Sequence, residues 1–189
     1  GKLDIMYNNA GILGRATSED VGNLDMEDFD NVVGVNVRGM AHGVKHASQA
    51  MVRCGTKGSI ICTGSVASTT AGMAPVAYTI SKHAVLGLVR AASSDLGKFG
   101  IRVNCLSPWG VVTPLLVNFM RDALNEPAFT PEDARASRDS HSNLAGHSLS
   151  TLDIAMSALY LASDESRFVS GLNLVIDGGF SVTNPSLLK

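Results

Sequence analysis

The alternation of apolar and polar positions along the chain predicts short strands separated by longer helices. Four apolar runs, at residues 3–7, 58–65, 101–106 and 173–176, each stop at small or polar residues. Short apolar runs with such ends are typical of buried strands that enter loops. We therefore expect four strands, and the first of them leads into a turn-forming sequence at residues 8–11.

Between these runs, apolar residues recur at helical spacing. A stripe with steps of three and four residues predicts one long amphipathic helix over residues 25–55. A second helix is expected over residues 77–98, because the glycines near its end can close it. A third helix is expected over residues 152–162, after Ser150 and Asp153, which have the spacing of a capping box.

Strands that alternate with helices indicate an α/β fold, in which helices cover both faces of a parallel sheet. We interpret residues 1–189 as one Rossmann-like, doubly wound domain. Residues 114–149 are polar and irregular, with only weak helical pieces, and predict a loop that covers a substrate. Because ligands bind at the carboxyl ends of the strands in such sheets, we expect the functional site at that edge.

Composition narrows the functional classes. The 189 residues carry a formal net charge of −2, unlike the strongly basic surface of a nucleic-acid-binding protein. No apolar run approaches the roughly 20 residues of a membrane span. The odd number of cysteines, three, predicts buried thiols in a reducing compartment. His42 and His46 lie one helical turn apart, but without a third ligand they indicate a helix face and no metal site.

Tyr78 and Lys82 carry the first sign of chemistry. A separation of four residues puts both side chains on one helix face. A phenol is too weak a base at neutral pH, but a nearby ammonium lowers its pKa by favouring the phenolate. The pair therefore suits removal of a proton from an alcohol, or its return to a carbonyl oxygen. Taken alone, the same spacing also fits a pair of surface residues.

Ser65 and Asn36 are the next candidates. Ser65 ends the second strand, 13 residues before Tyr78, where its hydroxyl could donate to the same substrate oxygen or cap the strand. Asn36 lies on the apolar stripe of the first helix. A buried amide needs hydrogen-bond partners, so Asn36 is either a structural bracket or an anchor for an ordered water.

Together, these residues resemble the short-chain dehydrogenase/reductases over essentially all of the chain. The motifs that carry the likeness are Asn8-Asn9-Ala10-Gly11, Asn36, Ser65, Tyr78-x3-Lys82 and Pro108-x-x-Val111-x-Thr113. The segments VNVRG, YTISKHAVLGL, IRVNCLSP and SGLNLVIDGG are similar to the plant group that includes secoisolariciresinol dehydrogenase and momilactone A synthase. Within that group, AGILGR and SPWGVVTPLL resemble the tasselseed-type sex-determination proteins.

The resemblance implies a role for each motif residue. Tyr78 is expected to be the general base in oxidation and the acid in reduction, while Lys82 lowers its pKa and holds the nicotinamide ribose. Ser65 is expected to orient the substrate oxygen, and Asn36 to hold a water that links Lys82 to solvent. The residues expected to bind the cofactor are Asn9, Ala10, Gly11, Tyr78, Lys82, Pro108, Val111 and Thr113.

The same likeness implies an NAD-dependent alcohol dehydrogenase, with NADP left open. The apolar residues Trp109, Leu115, Leu116, Phe119 and Met120 predict a bulky apolar secondary alcohol or ketone as substrate, such as a terpenoid, steroid or phenolic, although the same residues could instead pack the covering loop onto the body of the domain. Trp109 stands where many relatives have glycine, and we expect it to be a wall of the substrate pocket. The alternative is a non-catalytic, regulatory relative. A serine hydrolase is disfavoured, because Ser65 lacks a GxSxG elbow.

One family motif has no match in these 189 residues: the glycine-rich turn TGxxxGIG, which cradles the pyrophosphate at a helix N-terminus. We therefore interpret the sequence, which begins with Gly1, as the C-terminal part of a single short-chain dehydrogenase domain without its N-terminal strands and phosphate loop. Residues 3–7 would then be an unpaired apolar edge. We expect this chain alone to be inactive, to bind NAD poorly and to aggregate.

Assembly and location follow from the same reasoning. Residues 84–89 are apolar nearly all round their helix, so one side can cover the sheet and the other needs a second cover. We expect a subunit interface there, in the dimer or tetramer that the resemblance implies for the full-length protein. The expected location is the cytoplasm, with a targeting peptide left open. No nucleic acid or membrane is expected as a partner.

Overall fold

Four parallel strands form the centre of the computed structural model, which describes residues 1–16 and 20–183. In their order across the sheet, the strands are β1 (Ile5–Asn8), β2 (Ser59–Thr63), β3 (Arg102–Pro108) and β4 (Asn173–Ile176). The helices are α1 (Met26–Val33), α2 (Met40–Cys54), α3 (Val76–Leu96), α4 (Pro114–Leu124), α5 (Pro131–Asp139) and α6 (Thr151–Ala162).

Helices cover both faces of this sheet. Successive side chains of a strand point to opposite faces. Ile60 and Cys62 of β2 therefore pack into one cluster with residues of α2 and α3, such as Val85. Ile61 packs with Leu161 of α6 on the other face. The expected Rossmann-like parallel sheet with flanking helices is confirmed.

The register of the strands brings their carboxyl ends to one edge. Asn8 of β1 lies opposite Cys62 of β2, and Cys62 lies opposite Cys105 of β3. Cys105 in turn lies opposite Asn173 of β4. The segments that follow the strands therefore leave the sheet side by side, and this edge is where a site can be assembled.

Side-chain caps begin two of the helices as their sequences predict. The carboxylate of Asp25 accepts hydrogen bonds from the backbone N–H groups of Glu27 and Asp28 at the start of α1. Ser150 and Asp153 form the expected capping box at the start of α6. These bonds pair the backbone donors that a helix leaves free in its first turn.

The single helix expected over residues 25–55 is interrupted in its middle. A π-helical segment, Gly34–Gly39, joins α1 to α2. Asn36 lies in this segment, is fully buried, and bonds to groups outside the helix. The wider turn keeps the chain helical, so the spacing of apolar residues continues through it and does not reveal it.

Residues 114–149 are more regular than their polarity predicts: one of the weak helical pieces expected there, at residues 115–124, is α4, and α5 follows it. Both helices begin with proline after a threonine, Thr113 or Thr130, which is a favourable helix start. Each buries a single residue, Val117 in α4 and Ala134 in α5. An apolar stripe this thin does not stand out from a polar sequence.

One cysteine also departs from the prediction. Cys62 and Cys105 are buried, as expected, but Cys54 is exposed. Cys54 is the last residue of α2, and the left-handed Gly55 turns the chain away directly after it. The side chain therefore lies beyond the part of the helix that packs on the sheet.

Apolar residues remain on the surface of two helices. In α3, Val85, Leu86 and Val89 are buried, whereas Ala84 and Gly87 are exposed. A larger exposed set, which sequence reasoning missed, lies on α6 and around β4: Leu152, Met156, Leu159, Phe168 and Val182.

Within the described parts of the chain, no helix combines the length and apolar character that crossing a membrane requires.

Helix α2 packs closely against β1 at Gly43, and substitution of this glycine tests that packing. A Cβ at Gly43 would overlap Asn8 Oδ1, whereas a Cβ at Gly34, which has helical φ and ψ, would meet nothing within 4 Å. We expect Gly43→Ala to lower the free energy of unfolding by about 1–3 kcal/mol. Gly34→Ala, the matched control, is expected to raise it by about 0.5–1 kcal/mol.

Urea denaturation followed by circular dichroism measures both changes. Stabilisation by both substitutions would contradict the close packing of α2 on Asn8.

Candidate active site

A cleft of about 600 Å³ opens at the carboxyl ends of the strands. It is bordered by the segments that follow β1, β2 and β3, by the first turns of α3 and α4, and by the start of α6. All but one of the site residues expected from the sequence line it: Asn9, Ala10, Gly11, Ser65, Tyr78, Lys82, Pro108, Trp109, Val111 and Thr113. The exception is Asn36, which lies behind the cleft.

Tyr78 and Lys82 lie one turn apart at the start of α3, as their spacing predicts. The Nζ atom of Lys82 is 5.4 Å from the centroid of the Tyr78 ring. It donates a hydrogen bond to the backbone carbonyl oxygen of Thr63, at the end of β2, over 2.9 Å. With only 2% of Lys82 exposed, this bond fixes a buried ammonium beside the phenol ring.

Burial dominates the electrostatics of this pair. Burial raises the pKa of the Tyr78 hydroxyl above its usual value, although a side-chain hydrogen bond with Ser65 opposes the rise. Burial also lowers the pKa of the Lys82 ammonium to about 8. The prediction that Lys82 lowers the pKa of Tyr78 stays a prediction. Loss of hydration disfavours both charged forms, and Lys82 directs a hydrogen bond to Thr63.

Ser65 has the capping role that its sequence position left open, and its role toward a substrate oxygen stays a prediction. Its Oγ atom accepts a hydrogen bond from the backbone N–H of Ala67 over 3.1 Å, which caps a short helical turn. Its side chain also shares a hydrogen bond with Tyr78. The two hydroxyl groups are thus neighbours in the cleft, where both can reach one oxygen of a bound molecule.

Asn36 acts as a bracket between the first loop and α3. Its Oδ1 atom accepts a hydrogen bond from the backbone N–H of Ile12, and its Nδ2 atom donates to the Ile12 carbonyl, each over 2.8 Å. Nδ2 also donates to the Oγ atom of Ser81, the residue before Lys82, over 3.0 Å. These bonds use both donors of the amide. The expected role as a water anchor stays a prediction.

The cleft residues fit the nicotinamide and ribose end of a dinucleotide. Lys82 uses one donor on Thr63, and an ammonium has three, so donors remain for sugar hydroxyls. A Cβ on Gly11 would lie 3.5 Å from Nζ of Lys82, so glycine keeps the approach to the ammonium open. Thr113 lines the cleft at the start of α4 without a side-chain cap bond. Its hydroxyl and the free N–H groups of the helix start suit a carboxamide or phosphate oxygen.

Trp109 stands between this cleft and a second cavity of about 270 Å³. Its ring stacks on Phe180, with the ring centroids 4.0 Å apart and the planes 19° apart. The guanidinium of Arg138, on α5, lies 5.3 Å from the centre of the indole. Sequence reasoning missed Arg138, because it belongs to a polar stretch in which no spacing sets it apart from its neighbours.

No described group of three or more His, Cys, Asp and Glu side chains is close enough to hold a metal ion. The rings of His42 and His46 stack on the exposed side of α2, with their centroids 6.0 Å apart. The cleft itself is lined by hydroxyl groups and cations, among them Ser65, Tyr78 and Lys82.

Comparison with known proteins agrees with this arrangement. A family model described as Enoyl-(Acyl carrier protein) reductase matches residues 1–181. Short-chain dehydrogenase reductase 3b of Arabidopsis thaliana is 46% identical over 185 residues, and the alignment covers 98% of this chain and 68% of that protein. (+)-Borneol dehydrogenase 2 of Salvia officinalis is 47% identical over 187 residues, which cover 99% of this chain and 65% of that protein.

Solved structures share the fold. A protein of Beutenbergia cavernae, crystallised with NADP bound at low occupancy, superposes with a TM-score of 0.80 and 30% identity, and the match covers 96% of this chain and 67% of that one. The chain thus spans about two thirds of the length of the proteins that it resembles. The plant relatives agree with the plant group expected from the sequence, and the closer likeness to tasselseed-type proteins stays a prediction.

The buried ammonium of Lys82 can be tested by titration. We expect it to lose its proton near pH 8, whereas an ordinary lysine does so near 10.4. It is charged below that pH and neutral above it, because burial disfavours the charged form. In carbon NMR of protein labelled at the lysine Cε atoms, one resonance should titrate near pH 8.

That resonance should be absent from Lys82→Arg and unchanged in Lys45→Arg, which alters an exposed lysine. Titration of every lysine above pH 10 would contradict the burial of the ammonium.

Proposed function

Because the chain belongs to the short-chain dehydrogenase/reductase family, we propose that it carries the catalytic residues of an oxidoreductase that interconverts a secondary alcohol and a ketone. NAD is the cofactor proposed first, as the resemblance implies. NADP is the alternative, since one similar structure contains it. The name of the borneol dehydrogenase relative supports alcohol oxidation as the type of reaction.

One observation carries this proposal: Ser65, Tyr78 and Lys82 line the same cleft, with the two hydroxyl groups hydrogen-bonded and the ammonium beside the phenol ring. Two hydroxyls that can reach one oxygen, next to a cation, are the groups needed to move a proton to or from that oxygen. A regulatory protein without catalysis would have no need of this geometry.

Tyr78 is the proposed proton carrier. In reduction its hydroxyl would donate a proton to the carbonyl oxygen, and in oxidation its phenolate would remove the proton from the alcohol. The raised pKa of Tyr78 supports the protonated form at neutral pH, which is the form that reduction needs. Ser65 would hold the same oxygen in place. Lys82 would offset the negative charge of the phenolate when it forms.

The proposed cofactor site follows the fit described above. Asn9, Ala10 and Gly11 would border the adenosine side, and Val111 and Thr113, next to Pro108, would hold the carboxamide. When bound there, the nicotinamide would accept or supply the hydride. Lys82 would bind the ribose hydroxyls through its remaining donors.

The substrate proposed is a bulky molecule with an apolar skeleton. Leu13, Met73, Leu115, Leu116 and Ile154 line the cleft, and their side chains favour apolar surface. We further propose that residues 114–149 cover the bound substrate, because α4 and α5 both contribute residues to the cleft wall.

A homo-oligomer is the proposed assembly. The small exposed residues of α3, Ala84 and Gly87, would let a second helix approach closely, and the exposed apolar set on α6 offers a second surface. Apolar surface of this kind is stabilised when a partner removes it from water.

The oligomer is tested on protein produced from its complete natural coding sequence. We expect light scattering to give a mass of two or four chains. Leu159→Glu, in the exposed set of α6, should lower that mass, because a carboxylate would lose its hydration in an apolar interface. The matched control is Glu165→Gln, which changes an exposed residue just beyond α6. A monomer mass for the unaltered protein would refute the proposal.

Catalysis by Tyr78 is tested with the same protein. Tyr78→Phe removes the proton carrier, so we expect kcat to fall by about 100-fold or more, because positioned acid–base groups contribute at least that much. Cofactor affinity, measured by calorimetry, should stay within about twofold. The matched control, Tyr160→Phe, removes the hydroxyl of a partly exposed tyrosine on α6 and should keep full activity. Undiminished turnover by Tyr78→Phe would refute the catalytic assignment.

A further inference from the structure

Arg138 is a cation in the cleft wall without an anionic partner. No ion pair of the described residues includes it. Its Nε atom is buried without a hydrogen-bond partner, and Nη2 contacts only the weak acceptor Sδ of Met120, over 3.8 Å. Burial lowers the pKa of the guanidinium below its usual value. Covering part of a charged group without pairing it is unfavourable, so this position needs an explanation other than stability.

The Arg138 side chain is held in place by its neighbours. A Cβ on Gly110 would lie 2.7 Å from the Cδ atom of Arg138, so the side chain lies directly against the bare backbone of this glycine. The guanidinium also lies against the Trp109 ring, and that ring is stacked on Phe180. A freely moving surface arginine would have neither contact.

Trp109 adds a second unpaired donor to the same wall. Among the buried side-chain nitrogen and oxygen atoms of the described residues, only Trp109 Nε1 and Arg138 Nε lack a hydrogen-bond partner. Buried donors in folded proteins are nearly always paired, so each unpaired donor calls for a reason. Both residues line one cleft and contact each other, so the wall that they form contains a guanidinium without an anionic partner among the described residues.

The charges of the cleft favour an anion as the partner of this guanidinium. Among the described residues that line the cleft, Lys82 and Arg138 are cationic and none is Asp or Glu. The second cavity does contain carboxylates, but each has its own donors. Asp139 accepts a hydrogen bond from Ser148, Asp153 belongs to the capping box, and Asp177 accepts from two backbone N–H groups.

We propose that Arg138 and Trp109 form a carboxylate subsite, so that the substrate is a hydroxy acid or keto acid with an apolar skeleton. Its reacting oxygen lies at Ser65 and Tyr78, and its carboxylate pairs with the guanidinium of Arg138, beside the indole of Trp109. This inference rests on the proposed function, to which it adds the substrate class. Guanidinium and carboxylate form the stronger, charge-assisted kind of hydrogen bond.

The experiment measures binding, which does not depend on turnover. The probes are 3- and 4-hydroxycyclohexanecarboxylate and their methyl esters, which keep the ring and the hydroxyl but lack the charge. Calorimetry is done on protein from the complete natural coding sequence, with reduced cofactor present. We expect at least one acid to bind about tenfold or more tightly than its ester, the difference that a hydrogen bond to a charged group contributes.

Three variants locate this preference. Arg138→Met should abolish it, and Gly110→Ala should weaken it, because the added methyl group displaces a retained arginine. Arg167→Met, the matched control, removes an exposed arginine that lines neither cavity and should leave the preference unchanged. Circular dichroism verifies that each variant is folded. Should Arg138→Met not fold, Gly110→Ala decides.

Three results would overturn the subsite: no preference for either acid, a preference that survives removal of Arg138, or competition of the acids with the cofactor. The last would indicate that Arg138 binds a cofactor phosphate. Failure of the proposed function has a different signature. In that case the unaltered protein oxidises neither the hydroxy acids nor their esters, while its preference for binding the acids still depends on Arg138. Tyr78→Phe should lose turnover and keep the preference.

Discussion

Backbone hydrogen bonds between parallel strands are the interaction on which the site depends. They align Asn8, Cys62, Cys105 and Asn173 across four strands, so that each strand ends at the same edge of the sheet. The hydroxyl groups of Ser65 and Tyr78, the ammonium of Lys82 and the indole of Trp109 therefore line one cleft, although they come from different parts of the chain. A shift of one residue in any strand would turn its side chains to the other face and take its end out of the cleft.

Hydrogen bonds between buried polar groups fix the positions of the site residues on this sheet. The backbone carbonyl of Thr63, the last residue of β2, accepts a hydrogen bond from the ammonium of Lys82. Asn36 links the first loop to Ser81, the residue before Lys82, by donating hydrogen bonds to both. The loop, the strand and the helix are thereby joined around one cation. A low dielectric makes each of these bonds stronger and each unpaired group more costly, so the arrangement is stable only as a whole. This explains why Asn36 lies behind the cleft and still belongs to the site.

Much of this arrangement could be predicted from the sequence, because it depends on local spacing. The strands are short apolar runs, and Tyr78 and Lys82 are four residues apart on a helix, so their shared face follows from helix geometry. Other features depend on contacts that a single sequence does not display. Arg138 becomes notable only when Trp109 and Gly110 lie beside it. The raised pKa of Tyr78 reflects how completely the cleft removes water, whereas spacing alone indicates only the neighbouring charge.

Trp109 is the one tryptophan among the 189 residues, and its position has a consequence for how the molecule can be observed. Its indole lies between Phe180 and the guanidinium of Arg138, in the wall that separates two cavities. The tryptophan emission of these residues therefore originates at the cleft wall and at no other place. Any molecule that alters the charge or hydration there changes the colour or intensity of that light. The chain carries its own optical reporter of occupancy.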